Sequence, residues 1–330
     1  MWRIVLFTFF LAFLPLCALT LKDQIQKGSV GDFIVTSQNK TYTLLLLRHI
    51  GETSIVIEEI SIPEENFAAH SCSWKEWIDA RAPNHTSWTA YEIDTKENKL
   101  IECFSYLRQS FLPVDDPKNF LAKLLSLSFE KTPDNKRKKI GPAPLHDEID
   151  RRKLWTPPVM HAGQPISSQE ISAWTGKWPD DKSLLAGCEI EIYLGKAPFP
   201  YWIEIKHPHY AFCIRSIDSG TNLTSPLPSI PHQTPLFVSS GNWEKEALTI
   251  FLRAPNYYRD FQLFAIDVSN RDLPPIPIPY SLSYLKELTV LEIEAKNLKQ
   301  YLQEGHAYRW RICTSLPYSS QIESEQLFLY

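Results

Sequence analysis

The sequence predicts an α+β N-terminal domain, in which helices cover a curved antiparallel sheet, followed by an all-β, sandwich-like domain. Three observations lead to this prediction. Residues 21–130 contain strand-like runs that are interrupted by two helix-like segments. Beyond a proline-rich basic stretch, residues 170–330 contain six or more short runs of alternating apolar and polar residues. The hydrophobic content, 44% of 330 residues, suits a globular protein of about two domains.

The order of elements predicted for the first domain is β-β-β-α-β-β-α. Turn-type residues at Gln38-Asn39-Lys40 separate the first two strands as a hairpin. Ser73 is a suitable N-cap for the first helix because Glu76 stands three positions further on. The strands are expected at 32–36, 42–47, 54–62, 86–93 and 100–107, and the helices at 73–80 and 117–125.

Residues 131–169 predict a linker between the two domains. This stretch is rich in proline, has little periodic apolar patterning and carries the basic clusters Lys136 to Lys139 and Arg151 to Lys153. Asp147, Glu148 and Asp150 stand between these clusters and dilute their positive field. We therefore interpret the stretch as a solvated connector.

The second domain, 170–330, shows clean alternation typical of strands with one buried side. Strands are expected at 188–194, 201–206, 210–217, 248–253, 261–268 and 307–313. The segment Tyr284 to Leu302 allows two interpretations, since its leucines have helical spacing while 288–293 alternates. We favour a strand to about Glu294 and then a helical turn ending at Gly305, with one long helix as the alternative.

The first 20 residues predict a signal peptide. The apolar run from Ile4 to Leu16 is too short to span a bilayer, and cleavage is expected near Thr20. An uncleaved anchor and lipidation of Cys17 are the alternatives. After removal of the signal, no transmembrane segment is expected. The mature protein is therefore predicted to be exported: periplasmic, envelope-associated or secreted.

Five cysteines remain beyond Cys17, and their spacing leaves two interpretations open. In an oxidising compartment Cys72 can pair with Cys103, or Cys188 with Cys213. Alternatively all five, with Cys313, are small apolar core residues. None of their spacings matches a metal-binding template.

The sequence points away from several function classes. The formal net charge of −4 gives no general attraction to nucleic acid. No hydrolase, zinc-protease or nucleotide-binding motif is present, so no catalytic residue, metal or cofactor is predicted. We favour a non-catalytic protein on these grounds.

Three tryptophans are the candidate ligand-binding residues. Trp74 and Trp77 share one side of the predicted helix, and Trp88 follows within the same fifteen residues. Their rings suit an apolar ligand cavity or stacking on sugars. The alternative is that the helix covers the sheet with its two indoles, as aromatic residues do in ordinary cores.

Two parts of the chain resemble known families. Leu298, Gly305 and Tyr308, followed by Trp310-Arg311-Ile312, resemble the final strands of fibronectin type III and immunoglobulin-like modules. The run Gly31 to Val35 with Tyr42 to Leu45 is similar to the opening strands of periplasmic half-barrel proteins of the lipoprotein-carrier type. The whole arrangement resembles uncharacterised exported proteins of obligate intracellular Gram-negative bacteria, which implies an envelope location.

Taken together, these observations predict an exported, non-catalytic envelope protein that binds a lipid-like, glycan or protein partner. Two alternatives remain: a secreted hydrolase with a dispersed active site, and a structural scaffold without a small ligand. A pocket lined by Trp77 and Trp88 favours the first function, converging acids and histidines favour the hydrolase, and a filled core favours the scaffold.

Overall fold

The computed structural model describes the chain from residue 18 onward with short gaps. The described residues are 18–96, 99–114, 120–144, 149–167, 170–209, 211–244, 246–254, 260–270, 272–286, 288–314 and 320–330. The predicted signal run and Cys17 lie outside them. The chain is mostly β-strand, arranged in several antiparallel sheets, and divides into two compact units, Met1–Pro228 and Ser229–Tyr330.

Within the residues that the structure describes, the first unit contains fourteen strands and four helices. The strands are β1 (Leu19–Thr20), β2 (Phe33–Gln38), β3 (Thr41–Ile50), β4 (Ser54–Pro63), β5 (Ser87–Asp94), β6 (Lys99–Ser105), β7 (Ser110–Phe111), β8 (Ser128–Lys131), β9 (Met160–His161), β10 (Gln164–Pro165), β11 (Ser172–Lys177), β12 (Glu189–Leu194), β13 (Trp202–Lys206) and β14 (Ala211–Gly220). The helices are α1 (Leu21–Ile25), α2 (Glu64–Ala68), α3 (Trp74–Asp79) and α4 (Phe120–Ser126). The β-β-β-α-β-β-α order predicted for the first domain is present, with α1 before it and the short α2 and β7 within it in addition.

Twelve of these strands form one antiparallel sheet in the order β1-β8-β11-β12-β13-β14-β2-β3-β4-β5-β6-β7. The central junction is the pairing of β14 with β2, in which Ser219 lies opposite Ile34. Strands from 172–220, which the sequence led us to assign to the second domain, therefore belong to the first unit. The chain divides after Pro228 rather than at 131–169. Local alternation marks each strand but carries no information on which distant edge it pairs with.

Residues 131–169 also differ from the expected solvated connector, because several of them pair and pack within the first unit. Trp155 packs edge-on against Tyr193 and Trp202, with ring centroids 5.2 and 5.1 Å away. Arg152 and Lys139 both bind the Asp150 carboxylate and hold its pKa below the usual range. The prolines and charges that suggested a linker thus lie in a long loop attached to the sheet.

The two faces of the large sheet bury separate cores because side chains alternate along each strand. On one face, Val35, Leu44 and Ile60 pack with Trp77 and Ile78 of α3. The opposite face carries a larger core of strand, loop and helix residues, to which α1 contributes Leu21 and Ile25 and α4 contributes Leu121, Leu124 and Leu125.

Helix α3 begins as the sequence predicts. The backbone amide of Glu76 donates to the Ser73 hydroxyl, and the Ser73 amide donates back to the Glu76 carboxylate over 2.8 Å. The Ser73 amide and the Ser73 hydroxyl both donate to the Glu76 carboxylate and lower its pKa. The capping box confirms the predicted start of this helix.

The second unit has a sandwich-like architecture. Its elements are β15 (Leu236–Glu244), β16 (Ala247–Arg253), β17 (Phe261–Asp267), β18 (Ile276–Pro277), β19 (Ser281–Leu285), β20 (Leu288–Glu294), α5 (Ala295–Tyr301), β21 (Ala307–Thr314) and β22 (Ser320–Leu329). They form two four-stranded sheets, β15-β16-β20-β19 and β18-β17-β21-β22, which share one core around Trp310 and Leu291. A strand to Glu294 followed by a short helix confirms the favoured interpretation of that segment.

The five cysteines beyond Cys17 are free thiols, of which Cys103 and Cys188 are buried. The structure therefore contains neither of the two disulfides that the spacing allowed. Within the part of the chain that the structure describes, no helix has both the length and the apolar character needed to cross a membrane.

Candidate functional site

A cavity of about 560 Å³ lies in the first unit, between the large sheet and helices α1 and α4. Strand β2 contributes Ile34, Thr36 and Gln38, and the loop before β13 contributes Phe199 and Pro200. Most of the other lining side chains are apolar, and they include Leu21, Ile25, Leu45, Leu112, Pro113, Phe120, Leu121, Leu124, Leu125, Ile203 and Ile214. A volume of this size and an apolar wall are typical of small-molecule sites.

A small polar group interrupts this apolar wall. Glu59 lines the cavity from β4, Tyr91 from β5 and Cys103 from β6. Tyr91 lies directly opposite Cys103 in the sheet, and Glu59 lies directly opposite Leu45. The Tyr91 hydroxyl forms a hydrogen bond with the Glu59 carboxylate. These three side chains form one polar cluster on the sheet side of the cavity, and further polar groups of the wall are Thr36, Gln38, Thr43 and Arg108.

Burial sets the protonation of these groups. Burial raises the pKa of Glu59, and the hydrogen bond from Tyr91 offsets only part of this effect. Burial raises the pKa of Cys103 to about 12, with the nearby Glu59 adding to the shift. The pKa of Tyr91 is raised as well, first by burial and then by Glu59. Cys103 and Tyr91 thus stay protonated at neutral pH, which makes Cys103 a poor nucleophile.

The sequence analysis missed this polar group. Its signal was nevertheless present in β4, where Glu58 and Glu59 stand side by side in a strand that is otherwise strongly apolar. Neighbouring residues of a strand point to opposite faces, so each glutamate enters a different core. Two adjacent glutamates inside an apolar strand therefore indicate one carboxylate on each face of the sheet.

The three candidate tryptophans lie on the other face of the sheet. Trp77 is 1% exposed, Trp88 is 3% exposed and Trp74 is half-buried. Trp74 stacks on Phe67 with ring centroids 3.7 Å apart, and Trp77 meets both rings edge-on. None of the three tryptophans is among the described residues that line the cavity. The structure brings them together as one filled core, separate from the cavity.

Beside these tryptophans, Glu58 is held in a buried ionic network. Its carboxylate lies 3.5 Å from the Arg48 guanidinium and accepts a hydrogen bond from the Trp88 indole over 3.3 Å. Arg48 also donates to the backbone carbonyls of Ser225 and Leu227. The network therefore ties the segment before Pro228 to strands β3 and β4.

A serine and a histidine approach each other in the first unit. His161 Nδ1 lies 3.3 Å from the Ser219 hydroxyl, which donates to the Met160 carbonyl over 2.8 Å. Ser219 is fully buried. Because its hydroxyl is already bonded and hidden from solvent, this pair attaches β9 to β14 and is poorly placed to attack a substrate.

The fold and the cavity define a β-rich protein with a mainly apolar internal site that also contains several polar side chains. A family model described as "CT021 protein" matches residues 43–167. The chain is also similar to a solved structure, the hypothetical protein CT021 from Chlamydia trachomatis, with 21% sequence identity and a TM-score of 0.48. That alignment covers 66% of this chain and 100% of the other. None of the curated proteins matches. The family model and the solved structure thus carry the same description, CT021 protein, and the solved one is a hypothetical protein.

Proposed function

We propose that this chain is an exported, non-catalytic envelope protein whose first unit binds a lipid-like molecule in the cavity of about 560 Å³. The cavity itself carries this proposal, because its wall is mainly apolar and the helices that border it bring Leu21, Ile25 and Leu124 to the site. Each methylene buried there contributes about 0.8 kcal/mol. Apolar side chains outnumber polar ones on this wall, which favours a lipid-like ligand over a glycan.

Filling the cavity should abolish binding. Leu45 lines it, so Leu45→Trp places a larger ring in the space that a ligand would occupy. We expect the full chain to bind Nile red, an uncharged dye whose fluorescence increases in apolar surroundings. The variant should bind the dye at least about ten times more weakly. Fluorescence titration measures this affinity.

Leu184→Trp is the matched control, since Leu184 is 82% exposed and does not line the cavity. Thr36→Phe is a second filling variant at a less apolar position of the wall. Circular dichroism establishes that each variant is folded. Equal Nile red binding by wild type and both folded filling variants would overturn the proposal.

Export is the second part of the proposal, and it is supported by the apolar run from Ile4 to Leu16. When the chain is expressed in a Gram-negative host, we expect it outside the cytoplasm with its N-terminus shortened near Thr20. Intact-mass measurement distinguishes this product from one that carries a lipid on Cys17. Recovery of the chain from the cytoplasm with Met1 retained would contradict export.

For the second unit we propose an immunoglobulin-like module. Its first, second, sixth and fifth strands form one sheet, and its fourth, third, seventh and eighth form the other, an order that is typical of immunoglobulin folds. The Gln303 amide donates to the Tyr308 hydroxyl over 2.8 Å, as in the tyrosine corner of such domains.

A further inference from the structure

The position of Glu59 bears on which ligand the cavity takes, and this step rests on the proposed function. Glu59 lies in a row across the sheet with Ile34 and Leu45, and both of these neighbours are apolar. The next residue in this row, on the β5 side, is Thr89, so the cavity wall presents a carboxyl group with hydrocarbon on the β3 side and hydroxyl-bearing side chains on the β5 side. A carboxylate in such surroundings is costly unless a cation or several donors accompany it.

The other titratable groups of the wall do not supply that cation. Tyr91 and Cys103 face the cavity beside Glu59 and are neutral when protonated. Arg108 is the single cation among the described lining residues, and it is exposed to solvent. The ionised form of Glu59 is stabilised chiefly by the Tyr91 hydroxyl. A ligand that carries a positive charge would complete the site.

We propose that the cavity binds a long-chain amine, with the alkyl chain against the apolar wall and the ammonium group on the Glu59 carboxylate. An ammonium group donates charge-assisted hydrogen bonds to a carboxylate, and these are about twice as strong as neutral ones. A fatty-acid carboxylate would instead place a second negative charge beside Glu59. A long-chain alcohol fills the same apolar space but supplies no charge.

The test compares decylamine, decanol and decanoate on the full chain by isothermal titration calorimetry. We expect decylamine to bind about ten to a hundred times more tightly than decanol, with decanoate the weakest. Glu59→Gln keeps the shape of the side chain and removes its charge, so it should bring the affinity for decylamine down to that for decanol. Glu189→Gln, a half-exposed glutamate paired with Lys206, is the matched control and should change neither affinity.

The pH dependence gives a second readout on the unmodified protein. The amine stays protonated up to about pH 10. Because burial raises the pKa of Glu59, the carboxyl group is increasingly neutral as the pH falls. Between about pH 8 and pH 5 the affinity for decylamine should therefore decrease, while the affinity for decanol should not. Tyr91 and Cys103 remain protonated throughout this window, because burial raises the pKa of both groups.

Two different failures can be told apart. If decanol and decylamine both fail to bind, the proposed lipid-like site and this inference fall together. If decanol binds while decylamine binds no more tightly, or if Glu59→Gln leaves the preference for the amine unchanged, the cavity stands as a site for neutral apolar ligands. In that case the role assigned to Glu59 is wrong.

Discussion

Replacing Arg48 with methionine should lower the free energy of unfolding of the protein by about 3–5 kcal/mol. The Glu58 side chain is 0% exposed, and the Arg48 guanidinium lies 3.5 Å from it. Without Arg48, Glu58 keeps its indole hydrogen bond from Trp88 but loses its cation. An uncompensated carboxylate inside an apolar core is among the most destabilising features that one substitution can create.

Urea unfolding of the full chain measures this loss, and pH supplies an internal check. Burial raises the pKa of Glu58 even with Arg48 present. When the folded pKa of an acid exceeds its unfolded value, stability falls as the pH rises through that interval. The loss in Arg48→Met should therefore be larger at pH 8 than at pH 5, where the carboxyl group takes up a proton more readily.

Two further variants make the result specific. Arg48→Met combined with Glu58→Gln should recover part of the stability, since no buried charge is left without a partner. Lys196→Ala breaks the exposed pair of Lys196 with Glu170 and should cost less than about 1 kcal/mol. If Arg48→Met costs no more than Lys196→Ala, Glu58 is not an ionised, buried group in the folded protein.

The second large effect is expected for Trp77→Ala, which should destabilise the protein by about 3–5 kcal/mol. Trp77 is 1% exposed, and its indole donates to the Pro83 carbonyl over 3.1 Å. Removal of the ring creates a void in the core beneath α3 and leaves that carbonyl without its donor. Urea unfolding again measures the change.

The same variant separates the two roles that the sequence allowed for the tryptophans. Since the cavity lies on the opposite face of the sheet, folded Trp77→Ala should bind Nile red as tightly as wild type does. Trp77→Phe is the conservative control and should cost clearly less stability, because most of the packing remains. A stable Trp77→Ala protein that no longer binds Nile red would instead make the tryptophan cluster the ligand site.

Much of the local structure in the two units could be predicted from sequence patterns. The hairpin at Gln38-Asn39-Lys40, the capping box of Ser73 with Glu76 and the strand that ends at Glu294 are local features. Each depends on residues a few positions apart, whose conformational preferences act within one turn or one hairpin. The structure contains these elements close to their predicted bounds.

The cavity could not be predicted in the same way, because its wall is assembled from distant parts of the chain. The lining residues come from elements far apart in sequence, for example Ile34 from β2, Tyr91 from β5, Leu124 from α4 and Ile203 from β13. The tryptophans drew attention because aromatic residues are prominent in binding sites and in cores alike. Sequence alone does not tell which face of a sheet borders a cavity and which face is filled with side chains.

The sequence by itself determined many of the strands and the start of helix α3, since alternation, capping and turn residues act locally. It did not predict the strands at 172–177, 236–244 and 320–329, nor that both faces of the large sheet are buried. Only the tertiary structure decided that β14 pairs with β2, which places residues 172–220 in the first unit and moves the division of the chain to Pro228. Strand edges offer the same backbone donors and acceptors to any partner, so long-range pairing depends on how the whole core packs. That packing also decided that Glu58 meets Arg48 in a filled core while Glu59 faces an open cavity.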